Sequence, residues 1–262
     1  ELQIFKSTFM KFDDKRMYSS VARFVYSRDD LHTSHMFSGY YEDGYGVSGD
    51  YGERTTKYRD SYFALSDVCA TKSGHRVIDS GKTAIIFIGG FEAETPAEFG
   101  ASIDAIKALG TVENIVVDLT CNGGGILGSA FQILGYMTDL PVAIHSKETT
   151  DLSTESWYMS TANEAVDVNW YILTSPVTFS AANLMTSVAK DMGIATIIGQ
   201  QSSGGACSIA AILTPDGSGI LISSTGMLTD DQYNSIEFGI PVDYEMLNVN
   251  SDSELLGIVN GN

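Results

Sequence analysis

The sequence predicts an α/β protein, in which helices are layered on a sheet, preceded by a small helical and irregular subdomain. From residue 83 onward, strand-like segments alternate with helix-like segments, which is the pattern of an α/β sheet. The charge changes near the same place: residues 1–80 carry a net charge of −1, whereas residues 81–262 carry −17. We therefore expect a subdomain over residues 1–80 and an α/β core over residues 81–262.

The first 80 residues contain two kinds of pattern. Apolar side chains at helical spacing predict two short helices within residues 1–28, which meet near Asp13 and Asp14. Residues 36–62 then hold six tyrosines among glycines and charged residues, which favours loops and short hairpins. Such tyrosines usually pack partly against the protein, but they could also line a binding groove.

The core elements are predicted from apolar runs and from the residues that end them. The predicted strands cover residues 83–88, 115–119, 141–145, 170–173, 195–198, 208–213, 219–222 and 242–246. The predicted helices cover residues 95–109, 126–137 and 181–192. The first of these helices opens on Thr95 and Pro96, and proline is favoured in the first turn of a helix.

Composition excludes several classes of function. A formal net charge of −18 argues against nucleic acid or an anionic membrane as a partner, and no apolar stretch approaches the length of a membrane span. The three cysteines, Cys69, Cys121 and Cys207, are far apart and fit no CxxC spacing, so we expect them to be buried thiols. The chain begins with Glu1 and shows no signal peptide, so we expect its targeting region to be missing.

A glycine turn follows the predicted strand 115–119. Asn122 precedes three glycines, and a helix is predicted to start at once, so that backbone N–H groups would face an anion at a positive helix end. Residues 123–128 also match the dinucleotide spacing GxGxxG, with Glu148 at a distance that suits a ribose contact. An oxyanion site, a nucleotide site and a turn needed only for tight packing therefore remain alternatives.

Ser180 stands at the start of the predicted helix 181–192. A serine at this position is most often an N-cap, but it could also be a nucleophile whose oxyanion is stabilised by the Ala181 N–H and the helix dipole. Lys190 lies about 15 Å along the same helix and cannot serve Ser180 as a base. Histidine is then the natural base, and His32 and His35 lie in a polar cluster that could otherwise be a surface turn or a weak metal site.

Taken together, these segments resemble the C-terminal processing peptidases, or tail-specific proteases, in the branch that includes the tricorn protease core. The early segment Leu31-His32-Thr33-Ser34-His35 ends in the Ser-His pair of that branch. Asp118-Leu119-Thr120-Cys121-Asn122-Gly123-Gly124-Gly125 resembles the family element D-L-R-x-N-x-G-G, with threonine in place of arginine. Thr178-Phe179-Ser180-Ala181-Ala182 resembles the nucleophile element, and Glu237-Phe238-Gly239-Ile240-Pro241-Val242-Asp243 resembles the closing element.

The resemblance implies a set of site residues. Ser180 would be the nucleophile, His35 the base, Ser34 and Glu237 its supporting groups, and Gly124 and Ala181 the oxyanion donors. His32, three residues from His35, remains a rival for the base. The processing branch carries its lysine base in a G-K-G stretch, but the matching residues here are Gly204-Gly205-Ala206, so a Ser-Lys dyad is excluded.

The resemblance also implies the fold and the setting. We expect a crotonase- or ClpP-like spiral core without a PDZ domain, because only about 50 residues separate His35 from Thr83. A serine peptidase of this kind needs no cofactor or metal, acts on peptides or proteins, and works in the periplasm, at the cell surface or outside the cell. The alternative is a catalytically inactive, peptidase-like module that binds peptides or small ligands.

Overall fold

The computed structural model describes residues 24–36, 52–160, 163–213 and 219–261. It divides into two compact units: a smaller one formed by Glu1–Arg59 with Cys207–Thr225, and a larger one formed by Asp60–Ala206 with Gly226–Asn262. The border expected at residue 80 stays a prediction. Most of the helices expected in residues 1–28, and the tyrosines at positions 40, 41, 45 and 51, lie outside the described residues.

A six-stranded sheet is the centre of the larger unit. Its strands in chain order are β2 (His75–Ile78), β3 (Thr83–Phe87), β4 (Asn114–Asp118), β7 (Asn169–Thr174), β8 (Thr196–Gly199) and β11 (Tyr244–Glu245). They lie in the order β11-β8-β7-β4-β3-β2. All neighbours are parallel except β2, which runs antiparallel to β3. The carboxyl ends of the parallel strands therefore share one edge, where their loops can assemble a site.

Helices cover both faces of this sheet. Helices α2 (Thr95–Leu109), α3 (Leu127–Leu134) and α4 (Ala181–Asp191) pack on one face, and α5 (Asp252–Val259) packs on the other. Successive strand residues alternate between the two cores: Ile115 and Val117 lie in the first, and Val116 lies in the second. This alternation is the period of two that a pleated strand imposes.

The larger unit also contains an antiparallel hairpin of β5 (Val142–Glu148) and β6 (Thr154–Met159). The last part of β10 (Gly219–Thr229) pairs with β5. In the smaller unit, β1 (Ser34–Met36) pairs antiparallel with the first residues of β10, and β9 (Cys207–Leu213) also pairs with β10.

Helix α1 (Glu53–Cys69) begins in the smaller unit, where Asp29 accepts hydrogen bonds from the Arg54 and Thr55 amides at 3.0 and 2.9 Å. An anion at this end of a helix is favourable. Burial raises the pKa of Asp29, but these hydrogen bonds outweigh it, so that its pKa lies below the ordinary value of 3.8.

The α/β class and most predicted elements of the core are confirmed, and two of the errors have a common cause. Residues 53–62 were expected to be irregular, but they form the first part of α1. The elements β2, β6 and α5 were not predicted at all. Of the 17 residues of α1 only Thr55 is buried, and β6 is mostly exposed, so neither carries the one-sided apolar pattern that reveals an element.

The cysteine expectation was wrong for two of the three residues. Cys69, the last residue of α1, forms a disulfide with Cys121, which follows β4. The bridge joins residues 52 positions apart, a separation at which the sequence offers no spacing signal. Cys207 is half-buried and takes no part in this bridge.

Candidate active site

Ser180 has an unusual backbone at the amino end of α4. Its φ is 55° and its ψ is −120°, a region that non-glycine residues rarely adopt. The Ser180 side chain makes no capping hydrogen bond to the helix amides. The structure therefore does not support the interpretation of Ser180 as an ordinary N-cap, and backbone strain of this kind is typical of functional positions.

Two glycine segments hold Ser180 in this conformation. On one side, the Phe179 amide donates to the Asn122 carbonyl at 3.0 Å, and on the other the Ser180 amide donates to the Gly204 carbonyl at 2.8 Å. Phe179 and Gly204 also form an isolated parallel β-bridge. The nucleophile candidate thus lies between the turn after β4 and the segment after β8.

Gly124 lies directly against the Ser180 side chain. A Cβ on Gly124 would be 2.7 Å from the Ser180 Cβ and 3.2 Å from the Ala181 nitrogen. Gly124 has a φ of +109°, which glycine adopts without strain. The structure therefore brings Gly124, Ser180 and Ala181 together, and the roles predicted for them stay predictions.

The Gly124 amide already has an acceptor inside its own turn. It donates to Asn122 Oδ1 at 2.8 Å, while Asn122 Nδ2 donates to the Ile88 carbonyl at 3.0 Å. Asn122 is fully buried. An oxyanion would therefore have to share the Gly124 N–H with Asn122, and sequence reasoning missed this role of the asparagine.

Glu237 is hydrogen-bonded to residues 204–206, the segment to which Ser180 is also hydrogen-bonded. Glu237 Oε2 accepts a hydrogen bond from the Ala206 amide at 2.7 Å, and the Glu237 carbonyl accepts one from the Gly205 amide at 3.2 Å. A Cβ on Gly204, whose φ is +95°, would overlap the Glu237 carbonyl. The three residues 204–206 thus connect the proposed nucleophile to the proposed acid.

Asn183 is a second site residue that sequence reasoning missed. It lies one turn after Ser180 and is fully buried, and its Nδ2 donates to the Ile236 carbonyl at 3.0 Å. Its Oδ1 accepts from Ser202 Oγ at 2.6 Å, and Ser202 Oγ in turn accepts from the Ile240 amide. A polar residue at a core position of an apolar helix was the available signal.

Ser34 and His35 lie in β1 of the smaller unit, paired with Leu221 and Ile220. The side chain of His35 lies outside the described residues. The turn before β1 is held by Asp30, which accepts hydrogen bonds from the His32 amide at 3.0 Å and from Thr33 Oγ1 at 2.6 Å. The rival base His32 is buried.

The groups around Asp30 favour the ionised form of its carboxyl group. Burial raises the pKa of its carboxyl, but hydrogen bonds from Thr33, Ser223 and the His32 amide outweigh that effect. The pKa of Asp30 therefore lies below its ordinary value of 3.8. A charged Asp30 fixes the backbone of the segment that leads into Ser34 and His35.

Comparison with known proteins identifies the family of the chain. A model of peptidase family S41 matches residues 82–246, which is more than half of the sequence. The chain belongs to peptidase family S41. The resemblance to C-terminal processing peptidases is thereby confirmed at the level of the family.

Individual relatives of this S41 chain are distant. A carboxyl-terminal-processing protease of Picosynechococcus sp. (strain ATCC 27264 / PCC 7002 / PR-6) is 23% identical over 211 residues, covering 76% of this chain and 49% of the relative. The photosystem II D1 C-terminal processing protease matches with a TM-score of 0.55 and 16% identity, over 72% of this chain and 51% of that one. The chain therefore spans about half the length of these two relatives.

A further solved structure matches this S41 chain over nearly its whole length. A candidate peptidase from Parabacteroides merdae ATCC 43184 has a TM-score of 0.71 at 15% identity, covering 98% of this chain and 84% of its own. Identities this low establish a shared fold only. The mixed α/β architecture is thus common to the S41 chain and its structural neighbours.

Lys190 is the lysine of the S41 chain nearest in sequence to Ser180, and it is hydrogen-bonded to the closing element. Lys190 Nζ donates to the Pro241 carbonyl at 2.6 Å and to Asp243 Oδ1 at 2.7 Å. Asp243 Oδ2 accepts from the Ile197 amide at 2.8 Å. The aspartate of the closing element therefore ties β8 to α4.

Two amides of the glycine turn that a dinucleotide would need are already hydrogen-bonded to the protein. Besides the Gly124 amide, the Ile126 amide is hydrogen-bonded to the protein, donating to the Phe91 carbonyl at 2.7 Å. Phe91 also forms a parallel β-bridge with Gly125. These amides would have to be released before they could bind a pyrophosphate.

Within the described residues, no helix is both long and apolar enough to cross a membrane.

Proposed function

We propose that this S41 chain is a serine peptidase with Ser180 as its nucleophile. The observation that carries the proposal is the conformation of Ser180: a strained serine at a helix start, which does not cap the helix and lies against Gly124. A nucleophile held at a sharp turn before a helix has its hydroxyl presented to substrate, with the helix N–H groups behind it.

His35 is the proposed base. In the reaction, Ser180 Oγ attacks the scissile carbonyl carbon while His35 takes the hydroxyl proton, and His35 then gives a proton to the leaving amine. Water then attacks the acyl-enzyme ester while His35 takes its proton. His35 returns a proton to Ser180 Oγ as the carboxylic acid product leaves. Ser34 and Glu237 are proposed to orient and stabilise the imidazole, with His32 as the rival base.

The oxyanion of the tetrahedral intermediate is proposed to bind the Ala181 and Gly124 amides. One such donor contributes roughly 3 kcal/mol to the transition state in comparable sites. Because the Gly124 amide also donates to Asn122 Oδ1, we propose the Ala181 amide as the stronger donor. The position of the Ala181 nitrogen beside Gly124 supports this assignment.

The substrate is proposed to be a peptide or protein bound as an extended strand against a sheet edge. We further propose that the core is a crotonase- or ClpP-like spiral and that no PDZ domain lies between His35 and Thr83. An extracytoplasmic location is supported by the Cys69–Cys121 bridge, because disulfides persist mainly in oxidising compartments.

Labelling with a fluorophosphonate probe tests the nucleophile directly. Wild type and Ser253→Ala, which changes an exposed serine of α5, should be labelled and should cleave casein, whereas Ser180→Ala should do neither. Equal labelling of Ser180→Ala would disprove the assignment. No labelling of wild type would favour the binding module.

The base is tested by its pH dependence and by substitution. Activity should fall on the acid side of neutrality as the imidazole becomes protonated. His35→Gln should lose turnover, and His32→Gln should retain it. The opposite result would assign the base to His32.

A further inference from the structure

Lys72 forms a cluster with buried polar groups at the end of β4. Its Nζ donates to Asp118 Oδ2 at 2.9 Å and to Thr120 Oγ1 at 2.9 Å. The Lys72 side chain is 19% exposed and that of Asp118 only 5%. A carboxylate this deeply buried needs a cation and hydrogen bonds around it. Lys72 supplies the cation.

Thr120, which accepts a hydrogen bond from Lys72, lies in one of the family motifs of the chain. Thr120 occupies the place that arginine has in the D-L-R-x-N-x-G-G element of the C-terminal processing peptidases. The Thr120 hydroxyl is bonded here by the ammonium group of Lys72, which lies 48 residues earlier in the sequence. The short Thr120 side chain leaves space for the Lys72 ammonium group and bonds to it.

Hydrogen bonds lead from this cluster to the glycine turn. Asp118 Oδ1 accepts from the Thr120 amide at 3.0 Å and from Thr120 Oγ1 at 2.6 Å, which fixes the backbone just after β4. The Leu119 carbonyl then accepts from the Asn122 amide at 3.0 Å. Asn122 holds Gly124, and Gly124 lies against Ser180.

The same backbone contacts the segment that leads to the nucleophile. Ser175 Oγ donates to the Thr120 carbonyl at 2.6 Å, and Thr178 Oγ1 donates to the Leu119 carbonyl at 2.8 Å. A shift of residues 119–120 would therefore disturb both sides of the Ser180 site. Networks of buried hydrogen bonds of this kind respond as a unit when one member is removed.

We propose that Lys72 is a positioning residue for the glycine turn and Ser180, a role that rests on the proposed function of Ser180. Lys72 neutralises Asp118 and holds Thr120, and it thereby keeps residues 119–125 in the conformation that places Gly124 beside the nucleophile.

The Lys72→Met variant tests this role, with Lys82→Met as its matched control. Lys82 forms an exposed ion pair with Glu113, with side chains 55% and 61% exposed, in the same unit. The Cys69–Cys121 bridge still joins the two segments in Lys72→Met, which favours a folded variant. Lys72→Arg keeps a cation beside Asp118 and Thr120 and is the conservative variant.

Two measurements report on positioning. The first is the rate of fluorophosphonate labelling of Ser180, with kcat and KM for casein peptides, each per folded molecule. The second is amide hydrogen exchange in peptides covering residues 119–126, which needs no activity. Lys72→Met should lower the labelling rate and kcat tenfold or more with KM within twofold. It should accelerate exchange in this segment and in residues 175–179, which bond to it, but not in the rest of the sheet. Lys72→Arg, which keeps the cation, should restore labelling to within threefold of wild type.

The proposal is overturned if Lys72→Met matches Lys82→Met in labelling and exchange, or if exchange rises uniformly over the sheet, as in simple destabilisation. Failure of Lys72→Arg to slow exchange in residues 119–126 relative to Lys72→Met would also contradict it. If wild type is not labelled, the proposed function of Ser180 is wrong, and the exchange measurement alone then decides whether Lys72 holds the turn.

Discussion

The Cα of Gly124 faces the Ser180 side chain so closely that no Cβ fits between them. A Cβ there would lie 2.7 Å from the Ser180 Cβ, 3.0 Å from the Phe179 carbonyl oxygen and 3.2 Å from the Ala181 nitrogen. The glycine is thus required by space as well as by its φ of +109°. Anything added at this position displaces either the nucleophile candidate or the Ala181 amide.

We expect Gly124→Ala to lose at least about 100-fold in kcat, because an error of about 1 Å in the placement of reacting groups costs that much. Fluorophosphonate labelling and casein cleavage measure the loss. Gly110→Ala is a matched control: Gly110 has a φ of +69°, but a Cβ there meets nothing within 4 Å. Gly110→Ala should lose about 1–2 kcal/mol of stability to backbone strain, and Gly124→Ala should lose more, because its Cβ also meets other atoms. Equal activities of the two would contradict the steric argument.

Glu237→Gln tests the role of the carboxylate with little change in shape. The glutamine keeps an acceptor for the Ala206 amide, which now donates to Glu237 Oε2 at 2.7 Å, so the free energy of unfolding should fall by only about 1 kcal/mol. If the negative charge supports the imidazolium, kcat should fall roughly 100-fold or more.

Glu254→Gln is the control for this substitution. Glu254 also accepts backbone hydrogen bonds, from the Leu247 and Asn248 amides at 2.8 and 3.2 Å. It should show the same change in urea denaturation with unchanged turnover. Retained activity of Glu237→Gln would remove Glu237 from the mechanism.

The predictable parts of the fold and site were those with a local signal. Strand β4 is fully buried with an apolar centre, and three glycines follow it at positions 123–125, so both its position and the turn could be predicted. Helix α4 has an apolar face beginning directly after Ser180, which located the nucleophile candidate.

The unpredicted parts depend on contacts between distant residues. Nothing near Lys72 in the sequence indicates Asp118, 46 residues away, and nothing near Cys69 indicates Cys121. The acceptor of the Gly124 amide could not be predicted because it depends on the rotamer of Asn122. Helix α1 was missed because it buries almost nothing.

Reduction of the Cys69–Cys121 bridge should destabilise the protein. The bridge closes a loop of 52 residues, and the loss of chain entropy in the unfolded state corresponds to roughly 4 kcal/mol in the loop-closure model. We expect Cys69→Ser/Cys121→Ser, and wild type in dithiothreitol, to melt at similarly lowered temperatures. Cys207→Ser leaves the bridge intact, so it should melt at the same temperature as wild type when no reductant is present. Dithiothreitol should lower the melting temperature of both proteins equally. Insensitivity of wild type to reductant would argue against the bridge.

Asp191 lies at the carboxyl end of α4, and its ionisation lowers the free energy of unfolding as pH rises. Burial, together with Asp231 and Asp230 nearby, raises the pKa of Asp191 above its ordinary value of 3.8. The folded state therefore holds this proton more tightly than the unfolded state does. Stability is greatest below pH 3.8 as far as this group is concerned, and declines as pH rises through the raised pKa.

Asp191→Asn should accordingly stabilise the protein at neutral pH, and the amide can still accept the hydrogen bond that Ser187 Oγ donates at 3.3 Å. The gain over wild type in urea denaturation should be full at pH 7 and should shrink as pH falls toward 3.8. Asp104→Asn, which removes an exposed carboxylate of α2, separates this effect from a general reduction of the net charge of −18. A gain equal to that of Asp104→Asn at every pH would show that Asp191 is not destabilised by its neighbours.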